Sequence, residues 1–185
     1  SWQRINSVLQ APIEEINGTV TTPIKGKITF DHVSLAYNDK EVLKDISFSI
    51  KPGSRTAIVG PVSAGKTQIL YLIARLIKAN KGTITIDDVL LEDYERDMLM
   101  RSIGLVFQDS IILNATLREN IQLHEDIDET QLQLAIQTAQ LNDLITSLPQ
   151  GLETQISERG SNLSGGQKQR LMLARALALN PKVLL

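Results

Sequence analysis

Cysteine is missing from all 185 residues, which excludes a disulfide framework, a thiolate metal site and a thiol nucleophile. Histidine is nearly missing too: His32 and His124 stand far apart and build no His-rich metal cage. Neither sign of charge predominates. With 19 Lys+Arg against 21 Asp+Glu the formal net charge is −2, without the basic excess that nucleic-acid binding leaves in a sequence. No apolar run approaches the ~18 residues a membrane-spanning helix needs, and residues 69–77, the longest, are broken by Arg75. The N-terminus lacks a basic segment followed by an apolar one, so no signal peptide is expected and an intracellular protein is the default expectation. What remains is ordinary for a globular domain: 42% hydrophobic and 22% charged residues. A chain of this length buries about 70% of its unfolded surface and needs no staple to hold a core. One domain, or one plus an appendage, is expected.

Residues 1–17 read as a lead-in. Trp2, Ile5, Val8 and Leu9 recur at helical spacing before Pro12; a helix packed on its own domain and a continuation from an upstream segment both fit. From Gly26 the period changes to two, with Ile28, Phe30 and Val33 on one strand and Ile46, Phe48 and Ile50 on another, which runs to Pro52-Gly53. Residues 55–59 read as a buried strand entering Gly60, and residues 67–79 as a helix with apolar positions at Ile69, Leu70, Ile73, Leu76 and Ile77. Further along come a strand at 83–86, a short helix at 91–102 and a strand at 103–107. A mostly helical stretch spans 115–147, with Asp128-Glu129 suited to the start of its main helix. A helix at 165–179 stops at Asn180-Pro181, and Val183-Leu184-Leu185 begins another strand. Alternating strands and helices make an α/β domain.

Two strings carry chemistry. Gly60-Pro61-Val62-Ser63-Ala64-Gly65-Lys66-Thr67 fits G-x-x-x-x-G-K-[ST] between a predicted strand and a predicted helix. Chance supplies such a match in under about one chain in a hundred of this length, and the context lowers that further. Glycines let the backbone curl until successive N–H groups face inward at a helix start and cradle phosphate oxygens. Lys66 then supplies a point charge to the β- and γ-phosphates and the Thr67 hydroxyl a ligand for Mg²⁺. The second string is Leu163-Ser164-Gly165-Gly166-Gln167. Ser164 is placed to cap the helix at 165–179, leaving small residues and free N–H groups at a second anion-attracting end.

With both strings in view, the chain resembles the nucleotide-binding domain of an ATP-binding-cassette (ABC) transporter over essentially residues 18–185. The resemblance implies a P-loop NTPase core with an antiparallel β subdomain and a helical subdomain carrying the Leu163–Gln167 signature. ATP would be held by Tyr37, stacking on adenine, and by Gly60, Pro61, Val62, Ser63, Ala64, Gly65, Lys66, Thr67 and Gln68. Gln108 falls at the family's Q-loop glutamine; it would join Thr67 on Mg²⁺, touch the attacking water and lie near a membrane partner's coupling helix. Lys66 and Gln108 are thus the catalytic candidates. Two domains pair head to tail in the family, as homo- or heterodimers, so Ser164 and Gly166 would cover the ATP bound to the other copy. Glu158-Arg159-Gly160 is similar to a segment of exporter-type members, and the lead-in to the link after an exporter's last membrane helix. These imply a linker helix at 1–17 following a transmembrane domain not contained in this chain, and an ATPase domain at the cytoplasmic face of a membrane. No nucleic-acid partner is implied.

The sequence also departs from the pattern. Ser63 stands where the family has glycine, Gln68 where it has a second Ser or Thr, and Ser157 where glycine is common. A serine at positive φ costs about 1–2 kcal/mol, so loop geometry or nucleotide affinity is expected to be altered. In the family the strand starting at Val183 leads to an Asp that holds Mg²⁺ and a Glu that acts on water, and a switch histidine follows. None lies within these residues, and both histidines precede the signature. The chain is therefore expected to bind ATP but not to hydrolyse it efficiently. A degenerate-site module of a heterodimeric transporter and a soluble ABC ATPase are the alternatives.

Overall fold

The computed structural model describes Trp2, Asn6 and residues 18–185, apart from Asp39, Ser110 and His124. All but Trp2 and Asn6 of the predicted lead-in helix lies outside the described residues.

The period-two segments form an antiparallel sheet. Strands β1 (Ile28–Tyr37) and β2 (Lys40–Ile50) pair as a hairpin, β3 (Lys81–Ile86) adds to the other side of β1, and β4 (Val89–Leu90) completes the order β2-β1-β3-β4. Phe30 faces Phe48 across the hairpin with ring centroids 4.6 Å apart. The turn from β3 to β4 is Asp87-Asp88, both at positive φ (51° and 66°), as a two-residue turn between twisted strands requires. Asp87 also accepts from the backbone N–H groups of Lys25, Gly26 and Lys27, tying the entry of β1 to this turn.

Helix α1 (Lys66–Ile73) shares a core with this sheet: Ile69, Leu72 and Ile73 pack in one cluster with Ile28, Phe30, Val33 and Ile86. Tyr94 and Leu99 of the following segment belong to it, Leu99 on α2 (Arg96–Ser102). A short parallel pair, β5 (Ile103–Gly104) with β8 (Val183–Leu184), closes this body. A second, separate cluster is built by β6 (Ala115–Thr116), α3 (Leu117–Gln122), α4 (Glu129–Thr138), α5 (Asn142–Ser147), β7 (Gln155–Ile156) and α6 (Gly165–Ala178). The fold is α/β, an antiparallel sheet beside a largely helical body that carries Leu163–Gln167.

Several elements differ from the sequence expectation. Residues 55–59 form no strand among the described residues, and Val59 is 90% exposed. A strand is stable only when a neighbour takes up its N–H and C=O groups, and no strand among the described residues pairs with this segment. The helix expected over 67–79 stops at Ile73. Arg75 turns left-handed (φ 53°), and Arg75 N–H to Leu72 O (3.1 Å) with Leu76 N–H to Tyr71 O (2.9 Å) close the end. The Arg75 guanidinium is held by Tyr94 O, 3.0 Å away, a partner from a distant segment. The helix expected over 91–102 is a 3₁₀ turn, Leu91–Asp93, followed by α2. The Glu95 carboxylate starts α2 by accepting from Asp97 and Met98 N–H. The strand over 103–107 is regular only at Ile103–Gly104, though Leu185 N–H to Gly104 O (2.8 Å) and Val106 N–H to Leu185 O (2.9 Å) extend its ladder. The stretch 115–147 divides into three helices, because Leu123 (φ 49°) ends α3 and Gln140 (φ 55°) follows the end of α4. Asp128 caps α4, accepting from Gln131 N–H at 3.0 Å.

Candidate functional site

The phosphate-loop string starts at Gly60, turns with Ala64 N–H donating to Pro61 O (3.3 Å), and enters α1 at Lys66. Gly65, the residue before the helix, has φ 83°. A Cβ there would lie 2.6 Å from Leu43 Cδ2 and 3.1 Å from Val42 O, so both backbone and space demand glycine, and the close approach fastens the loop to β2. Ser63 has φ 65°, the left-handed conformation, with a side chain to accommodate.

The start of α1 has no side-chain cap and no acidic residue in its first turn. The first N–H groups of a helix have no carbonyl one turn back, and the dipole leaves this end positive. Lys66 Nζ hangs over the same turn, donating to Pro61 O at 2.6 Å and Gly60 O at 3.1 Å. Thr67 is exposed at the helix start. The inventory is one ammonium, a set of backbone donors and a hydroxyl, with no carboxylate to compete. That donor set fits a ligand carrying several anionic oxygens, and the hydroxyl fits a hard cation held by them.

Tyr37 ends β1 opposite Lys40, half exposed at the tip of the hairpin whose β2 strand meets Gly65 through Val42 and Leu43. Gln108 is exposed two residues beyond the last ladder bond, at Val106. Its neighbour Phe107 leans on Tyr71 of α1, centroids 6.2 Å apart. Tyr71 is four residues after Thr67, hence on the same face of the helix. The hairpin tip, loop 60–68 and the approach to Gln108 are thus all attached to one body.

Ser164 and Gly166 are not brought to that loop. Ser164 caps α6 in a reciprocal box: its hydroxyl accepts from Gln167 N–H (3.3 Å), and the Gln167 amide oxygen accepts from Ser164 N–H (2.7 Å). A Cβ at Gly165 or Gly166 would meet nothing within 4 Å, and both are exposed. No internal packing explains these glycines. Upstream, Glu158 and Arg159 are exposed, while Gly160 (φ 62°) lies so close to Ile112 that a Cβ would come 2.7 Å from its Cδ1.

Sequence reasoning missed the Tyr71–Phe107 contact and a polar pair, the buried Asn120 and the half-buried Arg175. For Arg175 a signal existed: a charge among Leu171, Met172, Ala174 and Ala178, on the face of α6 that packs inward. No group of three or more His, Asp or Glu suited to a metal occurs among the described residues. None of their helices is long and apolar enough to cross a membrane.

Residues 43–185 match the ABC transporter family. The chain belongs to that family. An uncharacterised ABC transporter ATP-binding protein of Bacillus subtilis is 39% identical, over 100% of this chain and 33% of its own length. The ATP-dependent lipid A-core flippase of Acinetobacter baylyi is 37% identical over 96% of this chain and 32% of its own. A solved structure of a bacterial Atm1-family ABC exporter with ATP bound superposes with a TM-score of 0.86 at 34% identity, covering 99% of this chain and 33% of that one. The chain spans about a third of the length of the curated relatives it matches. A putative multidrug export ATP-binding/permease protein of Staphylococcus aureus is 42% identical over 91% of this chain and 30% of its own, and the fold above is that of an ABC ATPase domain.

Proposed function

We propose that this domain binds ATP with Mg²⁺ and, in an intact exporter, hydrolyses it to move a substrate across a membrane. The observation that carries the reading is the uncapped, acid-free start of α1 beneath Lys66. Lys66 exchanges the carbonyls of Gly60 and Pro61 for phosphate oxygens, the loop N–H groups take the remaining oxygens, and Tyr37 offers a ring face to adenine. Thr67 and Gln108 supply oxygen ligands for Mg²⁺; when bound, the cation neutralises charge on the β- and γ-phosphates. Water attacks the γ-phosphate in line, releasing ADP and phosphate. Such catalysis is mostly positioning and charge stabilisation.

Two copies pair head to tail, with Ser164 and Gly166 of one closing over the nucleotide held by the other. Open space around Gly165 and Gly166 supports this, since nothing in their own chain uses it. A transmembrane partner docks at the groove of about 370 Å³ beside Gln108, whose lining includes Phe107, Ile111, Leu113, Leu123 and Met172. Pairing driven by ATP then moves that partner, at the cytoplasmic face of the membrane. The left-handed Ser63 favours a second reading, the weak site of a heterodimeric transporter; a full-length pair in which only the partner's site hydrolyses ATP would establish it.

Thermal unfolding tests the central claim. MgATP at a hundred times its dissociation constant stabilises by about 2.7 kcal/mol, a rise of several degrees. Lys66→Ala removes the rise while leaving the ligand-free melting temperature in place. A folded chain that shows no rise in millimolar MgATP overturns the reading.

A further inference from the structure

β1 delivers Tyr37 to the hairpin tip along an irregular path. Its pairing with β2 slips between Val33 and Leu35 and again between Leu35 and Ala36, before Ala36 faces Glu41 and Tyr37 faces Lys40. On the other side, the ladder with β3 runs from Ile28 opposite Ile86 to Ser34 opposite Lys81. Past Lys81, Asn80 takes over. Its N–H donates to Ser34 O at 2.9 Å, and its Oδ1 accepts from Ala36 N–H at 2.6 Å. The Asn80 carboxamide therefore stands where a further strand carbonyl would, and it holds the residue next to Tyr37.

Asn80 is itself pinned from both directions. Behind it, α1 ends at Ile73 and Arg75 is fastened to Tyr94 O. Ahead of it, Gly82 (φ 79°) lies so close to β1 that a Cβ would collide with the carbonyls of Asp31 and His32. With its own N–H tied to Ser34, Asn80 has only its side-chain torsions left to order, so holding Ala36 costs little entropy. The hairpin tip is thereby joined to α1, the helix that starts at the phosphate loop. A nucleotide has to span both, and a ring already in place saves the cost of ordering it on binding.

We propose that Asn80 is a positioning residue for Tyr37. By holding Ala36 it presets the tyrosine ring relative to loop 60–68 and so contributes to recognition of the base, without contributing to the hold on the phosphates. The proposal rests on the reading above, in which Tyr37 stacks on adenine.

The test is calorimetric titration of the chain with MgATP, alone and in competition with magnesium tripolyphosphate, which carries the phosphates without a base. The variants are Asn80→Ala, Asn80→Asp, Tyr37→Ala and the double variant Tyr37→Ala/Asn80→Ala. Asn80 is exposed, so its truncation opens no cavity. Asn80→Ala is expected to weaken MgATP about 3- to 10-fold, the worth of one hydrogen bond, and to change tripolyphosphate affinity by less than about twofold. Asn80→Asp keeps an acceptor for Ala36 N–H and restores the ratio of the two affinities. The double variant binds MgATP no more weakly than Tyr37→Ala alone, as expected of groups acting in series. A purely structural defect moves both ligands together. Equal weakening of both ligands, multiplying losses, or unchanged MgATP affinity in Asn80→Ala beside a weakened Tyr37→Ala each overturn the proposal and leave the reading of Tyr37 intact. If Asn80→Ala does not fold, Asn80→Ser, whose hydroxyl lies one bond closer to the main chain, is read by the same criteria. Unweakened MgATP binding in Tyr37→Ala overturns the reading of the tyrosine, and the proposal with it. Tripolyphosphate that fails to displace MgATP overturns the reading of the phosphate loop on which both stand.

Discussion

Ser63 and Gly65 share a conformation and differ in what it costs. Both have positive φ, 65° and 83°. For glycine this is free of steric penalty; for serine the Cβ crowds the following carbonyl, at about 1–2 kcal/mol. Glycine's greater freedom when unfolded offsets part of that. Ser63→Gly is therefore expected to raise the free energy of unfolding by about 1 kcal/mol. The urea midpoint should increase at constant slope, and MgATP should bind more tightly as the loop relaxes. A lower midpoint would mean that the serine side chain contributes more than its strain costs. The substitution itself is legible in the sequence, and so is the consequence, because φ at that position follows from the loop pattern alone.

At the level of elements, α6 shows what a helix start can offer to a molecule outside the chain. Ser164 and Gln167 satisfy one another, so the cap is complete without Gly165 or Gly166. A Cβ at Gly166 meets nothing, and alanine is the better helix former by about 0.8–1.0 kcal/mol. Gly166→Ala is expected to leave the melting temperature of the domain unchanged or slightly higher while abolishing, in sedimentation, the ATP-dependent pairing proposed above. A drop in melting temperature would show that the glycine has an internal role after all. The caps at Ser164 and Asp128 are readable from the sequence because their partners lie three residues away. The end of α1 is not, because Arg75 completes it with Tyr94 O from another segment.

Across the whole molecule, the two cores meet at crossings near Gly104 and Pro181, and segment 54–60 pairs with no strand among the described residues. Unpaired backbone groups beside an exposed valine make a template for another chain. Concentration-dependent association of the 185-residue chain is expected, weakened by Val59→Lys and read by light scattering; equal association in both would place the contact elsewhere. The strings at 60–67 and 163–167 and the caps that start α4 and α6 were determined by sequence alone, since turn chemistry and donor sets act within a few residues. Tertiary structure decided that residues 55–59 stay unpaired, that Phe107 leans on α1, and that Arg175 reaches Ile111 and Asn120. Each of these depends on a group far along the chain, and local periodicity carries no information about which distant group arrives.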